Sequence, residues 1–358
     1  MAVHYRKKET PMMIPYRAQQ TLKRLGVMLL ALTILLIVVL LCWFLWLQRY
    51  LVYTNDGVKL DFNISLNYSD GELAQKPQTP ESDLIFTEGE NLYNESNREL
   101  VRFSGYRVTL DELKADISAV KEKISALPKG TTVMLELKTK RGEFAYSTTL
   151  GPNVKNLDPV KVDELLVYLK NSGYYVIAQV PAFIEYEYFM FDSVHWSRNV
   201  HGLSKKSSDS LWEDSSNRPC FWLNPGSDGA RSYLIQIISE LRSFGLNEVA
   251  FSYFQFPDTD KVKFTGDRAA TLAEAAEVLV STCATETFAV SFIQTNANLP
   301  LPQGRSRLYL TGIAAGDVAT LAGKVQFADV KAQLVFFTDT NDTRYDEYCA
   351  LRPLDMAR

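Results

Sequence analysis

The chain has 358 residues, 46% hydrophobic and 22% charged, a globular composition that excludes general disorder. Its formal net charge of −4 is unevenly placed: residues 1–24 hold six basic residues against Glu9, Arg49 adds one more, and residues 50–358 therefore carry −10. A body that acidic excludes nucleic-acid binding, which needs a basic face for phosphates.

The first element in chain order is a run over residues 25–47, 23 positions without a charge. About 20 such residues cross a bilayer as a helix, so a single-pass transmembrane anchor is expected there. The run is longer than a signal-peptide core, and Gln48-Arg49-Tyr50-Leu51-Val52-Tyr53 offers no small-residue cleavage site. The basic excess ahead of it predicts a cytoplasmic tail over 1–24 and a main domain outside the cell membrane. Residues 48–99, with Pro77, Pro80 and scattered acids, read as a juxtamembrane linker, although 58–62 alternates like a short strand.

From residue 100 strand-like and helix-like runs alternate. Strands are expected over 100–106, 133–138, 174–180, 248–254, 288–293, 307–310 and 333–338. Helices are expected over 110–127, 159–171, 230–244, 268–282 and near 317–322. Thr109-Leu-Asp-Glu112 is a capping box, Pro159 suits a first helical turn, and Gly173 and Gly245 follow helix ends. Strands separated by helices make parallel β/α units. The expected fold is α/β, a TIM-barrel-like (β/α) domain over 100–345. It should show about seven clear strands and be incomplete where 294–306 lacks a helix, with 346–358 as a C-terminal tail. No G-x-G-x-x-G and no G-x-x-x-x-G-K-[ST] is present to support a nucleotide fold.

Strand polarity favours a closed barrel over a flat sheet covered on both sides. Val133, Leu135 and Leu137 form one apolar face, which turns Glu136 inward. The same exercise places Ser104, Gln179, Ser252 and Ser291 on inner faces and leaves Glu136 as the one inward carboxylate. An internal ion pair with Lys138 or Arg102 is its alternative role. Barrel enzymes keep their chemistry where the lumen opens at the C-terminal strand ends, and Glu185 and Asp258 follow the third and fourth strands as loop-borne candidate acids. Cys220, Cys283 and Cys349 permit at most one disulfide, and His195 and His201 lack zinc-site spacing. No metal and no cofactor is called for. Sequons begin at Asn63, Asn67, Asn94 and Asn341.

The segment Cys220-Phe-Trp-Leu-Asn-Pro-Gly, followed by Phe244-Gly-Leu-Asn-Glu-Val-Ala-Phe-Ser-Tyr-Phe-Gln-Phe-Pro257, resembles the glycoside-hydrolase-like barrel family of bacteria. That family reads W-L-D-P and then G-[FV]-D-E-[IV]-x-[FL]-D-Y-[IV]-R-F-P. The stretch Val133-Met-Leu-Glu-Leu-Lys-Thr-Lys-Arg-Gly142 resembles its V-V-x-D-[IV]-K-D-x-x-G strand, and Tyr175-Val-Ile-Ala-Gln-Val-Pro-Ala-Phe183 its Y-x-I-A-R-[IV]-x-x-F. The likeness covers roughly residues 100–340. The departures fall on family acids and on an arginine: Ser252, Thr139 and Asn224 stand at aspartate positions, and Gln255 at the arginine.

Glycoside hydrolysis commonly needs two carboxyl groups, and a serine replaces neither. The resemblance with its lost acids implies a degenerate barrel that binds polysaccharide or another glycan through Tyr253, Trp196, Trp212, Trp222, Lys138 and Gln179. The long loop 184–219 supplies two of these aromatics, Trp196 and Trp212, whose faces can stack on sugar rings. Two other readings stand beside it. One is an active hydrolase using Glu136 with Glu185 or Asp258; the other is a cell-surface scaffold for an unidentified protein partner.

Overall fold

The computed structural model describes Met28, Leu36 and residues 51–54, 57–60, 100–190, 199–214 and 218–357. The chain divides into two units, Met1–Ile85 and Phe86–Arg358. In the first, Met28 and Leu36 are helical, and Leu51–Thr54 pairs antiparallel with Gly57–Leu60. The tail over 1–24, the rest of the 25–47 run, the linker beyond residue 60 and Trp196 lie outside the described residues. Among the described residues, no helix is long and apolar enough to cross a membrane.

The second unit holds a closed barrel of eight strands: β1 Ser104–Val108, β2 Thr132–Glu136, β3 Tyr175–Pro181, β4 Glu248–Ser252, β5 Ala289–Gln294, β6 Leu308–Leu310, β7 Leu334–Phe337 and β8 Cys349–Pro353. Every neighbour pair is parallel and in chain order, and β8 closes on β1 with Ala350 opposite Ser104. The expectation of seven strands and an open gap is corrected here. The strand β8 lies inside the segment read as a tail, because five residues ending in Pro353 carry too little periodicity to be seen. No helix forms between β5 and β6, where Pro300 and Pro302 remove backbone donors, yet the ladder still closes.

The helices cover the outside. The single helix expected over 110–127 is two, α1 Leu110–Ala115 and α2 Ile117–Ser125. Asp116 breaks it: in extended conformation its carboxylate accepts from Ser118 and Ala119 amides, a cap that competes with helical continuation. The capping box at Thr109 and Glu112 forms, with the Thr109 amide 2.7 Å from Glu112 Oε2. In α3, Pro159–Asn171, Asp158 caps the Val160 amide, and Val162, Leu165, Leu166 and Leu169 bury one stripe at helical spacing. Each such side chain contributes roughly 1.5–3 kcal/mol, and Leu166→Ala would cost about 2–5 kcal/mol. Two longer helices, α4 Asp228–Ser243 and α5 Arg268–Cys283, follow β3 and β4. Gly173 and Gly245 both take φ +79° just past their helices, a conformation a side chain rarely adopts.

Alternation sorts each strand into two faces. Val133, Leu135, Val176, Val249 and Phe251 pack beneath the helices. Met134, Ile177, Ala250, Val335 and Leu351 join a separate cluster inside the barrel together with Phe103. Because Phe103 is inside, Ser104 lies on the outer face, exposed, and not inward as its polarity implied.

Candidate functional site

The N-terminal ends of the strands are sealed by a buried polar cluster. Glu248 at the start of β4 forms an ion pair with Arg307. Its carboxylate also accepts from the Tyr175 hydroxyl at 2.9 Å and the Tyr309 hydroxyl at 2.7 Å. Arg307 spends further donors on the Ala332 carbonyl at 2.8 Å and the Val101 carbonyl at 3.1 Å. Burial and the neighbouring Glu248 push the Tyr309 hydroxyl well above its ordinary pKa. Glu136 is therefore not the one inward carboxylate; Glu248 is a second, at the closed end where barrels keep stability rather than chemistry.

At the opposite, C-terminal end the inner faces present Arg107 from β1, Glu136 from β2, Gln179 from β3 and Ser252 from β4, each two residues beyond an inner-face neighbour. Glu136 and Gln179 are opposite each other in the β2–β3 register. Glu136 Oε2 accepts from the Leu110 amide at 3.1 Å. Its alternative role, an ion pair with Lys138 or Arg102, is not formed among the described residues: Lys138 pairs with Glu185 and Arg102 donates to the Asp346 carbonyl. Arg107 donates to Asp339, just past β7, at 2.8 Å, and its guanidinium lies 6.0 Å from the Phe337 ring. Sequence reasoning missed Arg107 and Asp339; the position of Asp339 two residues beyond a strand end was the available signal.

Ser252 is 8% exposed, and its Oγ has no hydrogen-bond partner among the described residues. The next residue, Tyr253, sits at φ +51°, a region that costs a non-glycine residue free energy, and is 41% exposed. Its ring stands edge-on to Trp222 at 6.4 Å, and Trp222 lies 6.5 Å from Trp212. Trp222 is 6% exposed, and among the described residues its Nε1 and the buried Arg107 Nε have no hydrogen-bond partner. Buried polar atoms are normally paired, and these three, near one end of the barrel, have no hydrogen-bond partner among the described residues.

Lys138 and Glu185 are taken away from that surface. Both side chains are fully buried and form an ion pair. Tyr233 donates to Glu185 Oε1 at 2.9 Å, and Lys138 reaches the Pro181 carbonyl at 3.3 Å. Burial first, then Glu185, raises the Tyr233 hydroxyl well above its ordinary range. A Cβ on Gly142, which also holds φ +95°, would collide with Glu185 Oε2, so glycine leaves that oxygen its space. Lys138, read from the sequence as a glycan contact, and Glu185, read as a loop acid, are each other's buried counter-ion.

The remaining predicted positions are dispersed. Thr139 donates to Glu143 Oε2 at 3.3 Å within a tight turn, and Asn224 Oδ1 accepts from the Gly226 amide at 3.1 Å. Gln255 is half-buried, and Asp258 is exposed on the loop after β4. The loop 184–219 is not featureless: Ile184–Glu185 pairs with Phe221–Trp222, and Ser204–Lys205 with Val262–Lys263. The three cysteines are buried and free, and burial raises the Cys349 thiol to about 11. Among the described residues no cluster of histidine, cysteine and acids could hold a metal.

The family model described as "Putative glycosyl hydrolase domain" matches residues 112–291, from α1 to β5. No curated protein matches the chain. Among solved structures, the chain is similar to a hypothetical protein from Ruminiclostridium thermocellum ATCC 27405, with 16% identity over 52% of this chain and 96% of that one at a TM-score of 0.41. An isomalto-dextranase from Arthrobacter globiformis T6 complexed with panose gives 10% identity, 72% and 53% coverage and a TM-score of 0.47. The alpha-galactosidase from Thermus thermophilus gives 11%, 55%, 39% and 0.39. The chain spans less than two thirds of the last two proteins.

Proposed function

The chain belongs to the "Putative glycosyl hydrolase domain" family, and from that premise we propose that it binds a glycan of the cell envelope or surroundings at the barrel mouth without cutting it. The observation that carries this reading is Ser252. It stands where the family pattern has an aspartate, buried at the mouth with its hydroxyl unpartnered among the described residues. A hydroxyl can bond a sugar hydroxyl, but it cannot act as the second carboxyl of hydrolysis. Glu185 offers no replacement, since its charge is committed to Lys138. Glu136 and Gln179 supply an acceptor and a mixed donor–acceptor for sugar hydroxyls, and Tyr253 supplies an aromatic face. The run over 25–47 anchors this barrel with residues 1–24 in the cytoplasm and the mouth outside.

A second reading keeps hydrolysis. Asp339 gives the mouth another carboxylate, its side chain 73% exposed and paired to Arg107, and with Glu136 it would make two acids. The soluble barrel, residues 86–358, titrated against a panel of glycans and assayed for reducing ends separates the two. Binding without release is the expected result; turnover abolished by Glu136→Gln makes the chain an enzyme. Protease added to intact cells should digest most of the chain, and attack confined to the first two dozen residues would reverse the topology.

A further inference from the structure

Beside the mouth lies a cleft of about 640 Å³ that the binding reading leaves unused. It forms where Ser204–Lys205 pairs with Val262–Lys263, and the Lys206 amide bonds the Lys261 carbonyl at 2.8 Å. Trp212 is fixed in its wall, because its amide donates to the Leu203 carbonyl at 2.8 Å while the Leu203 amide donates to the Trp222 carbonyl at 2.7 Å. The rings of Trp212, Trp222 and Tyr253 follow one another at 6.5 and 6.4 Å, an aromatic path from the cleft to the barrel mouth. Midway along it the buried Trp222 Nε1–H has no acceptor among the described residues, which is the second sign that something polar belongs on this path.

The charges of the cleft decide what kind of chain fits. Its lining carries three lysines, Lys205, Lys206 and Lys261, and three acids, Glu213, Asp214 and Asp260. Lys205 and Glu213 are already paired at 3.1 Å. The surface therefore offers both donors and acceptors around an aromatic plate and has no net sign. A polyanion would meet as much repulsion as attraction there, whereas neutral sugar hydroxyls both donate and accept and their apolar faces cover an indole.

We propose that this cleft is a distal subsite for an uncharged polysaccharide, so that the protein holds a length of chain running from the mouth across Trp222 to Trp212. The proposal rests on glycan binding at the mouth. Its test is a length series of the neutral oligosaccharide selected by the glycan panel, titrated calorimetrically into the barrel and into Trp212→Ala, Trp212→Phe and Lys261→Ala. Affinity for the unmodified protein should rise with length, and Trp212→Ala should lose on the order of five- to tenfold for long chains only. Trp212→Phe should keep most of the gain, and Lys261→Ala, an exposed change, gives a smaller loss with no risk to folding. Affinity for the long chain should be flat between low and high salt, because no net charge is neutralised. Length-independent affinity, with Trp212→Ala silent, overturns the distal subsite while leaving the mouth intact. A steep salt dependence overturns the neutral assignment. No binding at any length overturns the reading on which the proposal stands.

Discussion

The two ends of the barrel lumen treat buried polar groups in opposite ways. At the closed end Glu248 has both oxygens satisfied, by Arg307, Tyr175 and Tyr309, and Arg307 has carbonyl acceptors besides. At the open end Ser252 Oγ and Arg107 Nε are buried without partners among the described residues, and Tyr253 holds a left-handed backbone. A complete network rigidifies a core, while an incomplete one lowers stability unless a ligand completes it. Polarity inside a barrel is thus not by itself a sign of function; the unfilled bonding capacity is.

The sharpest way to break the comparison is at the closed end. Arg307→Met leaves Glu248 buried and uncompensated, which should cost about 3–5 kcal/mol. In a domain of this size that lowers Tm by on the order of 10 °C in a thermal scan, with glycan affinity unchanged. The Lys138–Glu185 pair makes the next test. Lys138→Met alone should cost about 3 kcal/mol by urea titration, and adding Glu185→Leu should recover most of it, since the isolated charge is what destabilises. Equal costs for the single and double variants would mean that packing, not the stranded carboxylate, sets the loss.

How much of this was legible in the sequence follows the same division. Periodicity located seven strands and most helices because β/α units alternate two repeats that differ clearly. The strand β8 escaped because Cys349–Pro353 is short and ends in proline, and Ser104 was assigned inward because polarity was taken for direction. At the site, Glu136, Gln179 and Ser252 could be placed by alternation along a strand. Glu185 could not: it leaves the barrel on a two-residue strand, and its burial depends on Gly142 making room. Long-range partners such as Arg307 for Glu248 have no local signature at all.

At the open end smaller effects are expected. Ser252→Asp should cost about 1–2 kcal/mol, since a carboxyl at a site only 8% exposed can limit the penalty by staying protonated, and it need not create hydrolysis while Thr139, Asn224 and Gln255 differ from the family pattern. A loss as large as that of Arg307→Met would show that the mouth is as tightly filled as the closed end. Smallest of all is the thiol chemistry. With Cys349 raised to about 11 by burial, roughly one thiol in a thousand is ionised at pH 8. Alkylation of the folded barrel should be negligible at Cys349 and become rapid only on unfolding.

The most direct measurement is a thermal scan of Tyr253→Gly with and without the glycan selected from the panel. The substitution removes about 1 kcal/mol of left-handed strain together with the exposed ring. The account predicts that the ligand-free Tm stays level or rises while the glycan-induced increase in Tm disappears. A ligand-free Tm several degrees lower, with the glycan-induced increase intact, would contradict it, making Tyr253 a structural residue and the mouth something other than the binding site.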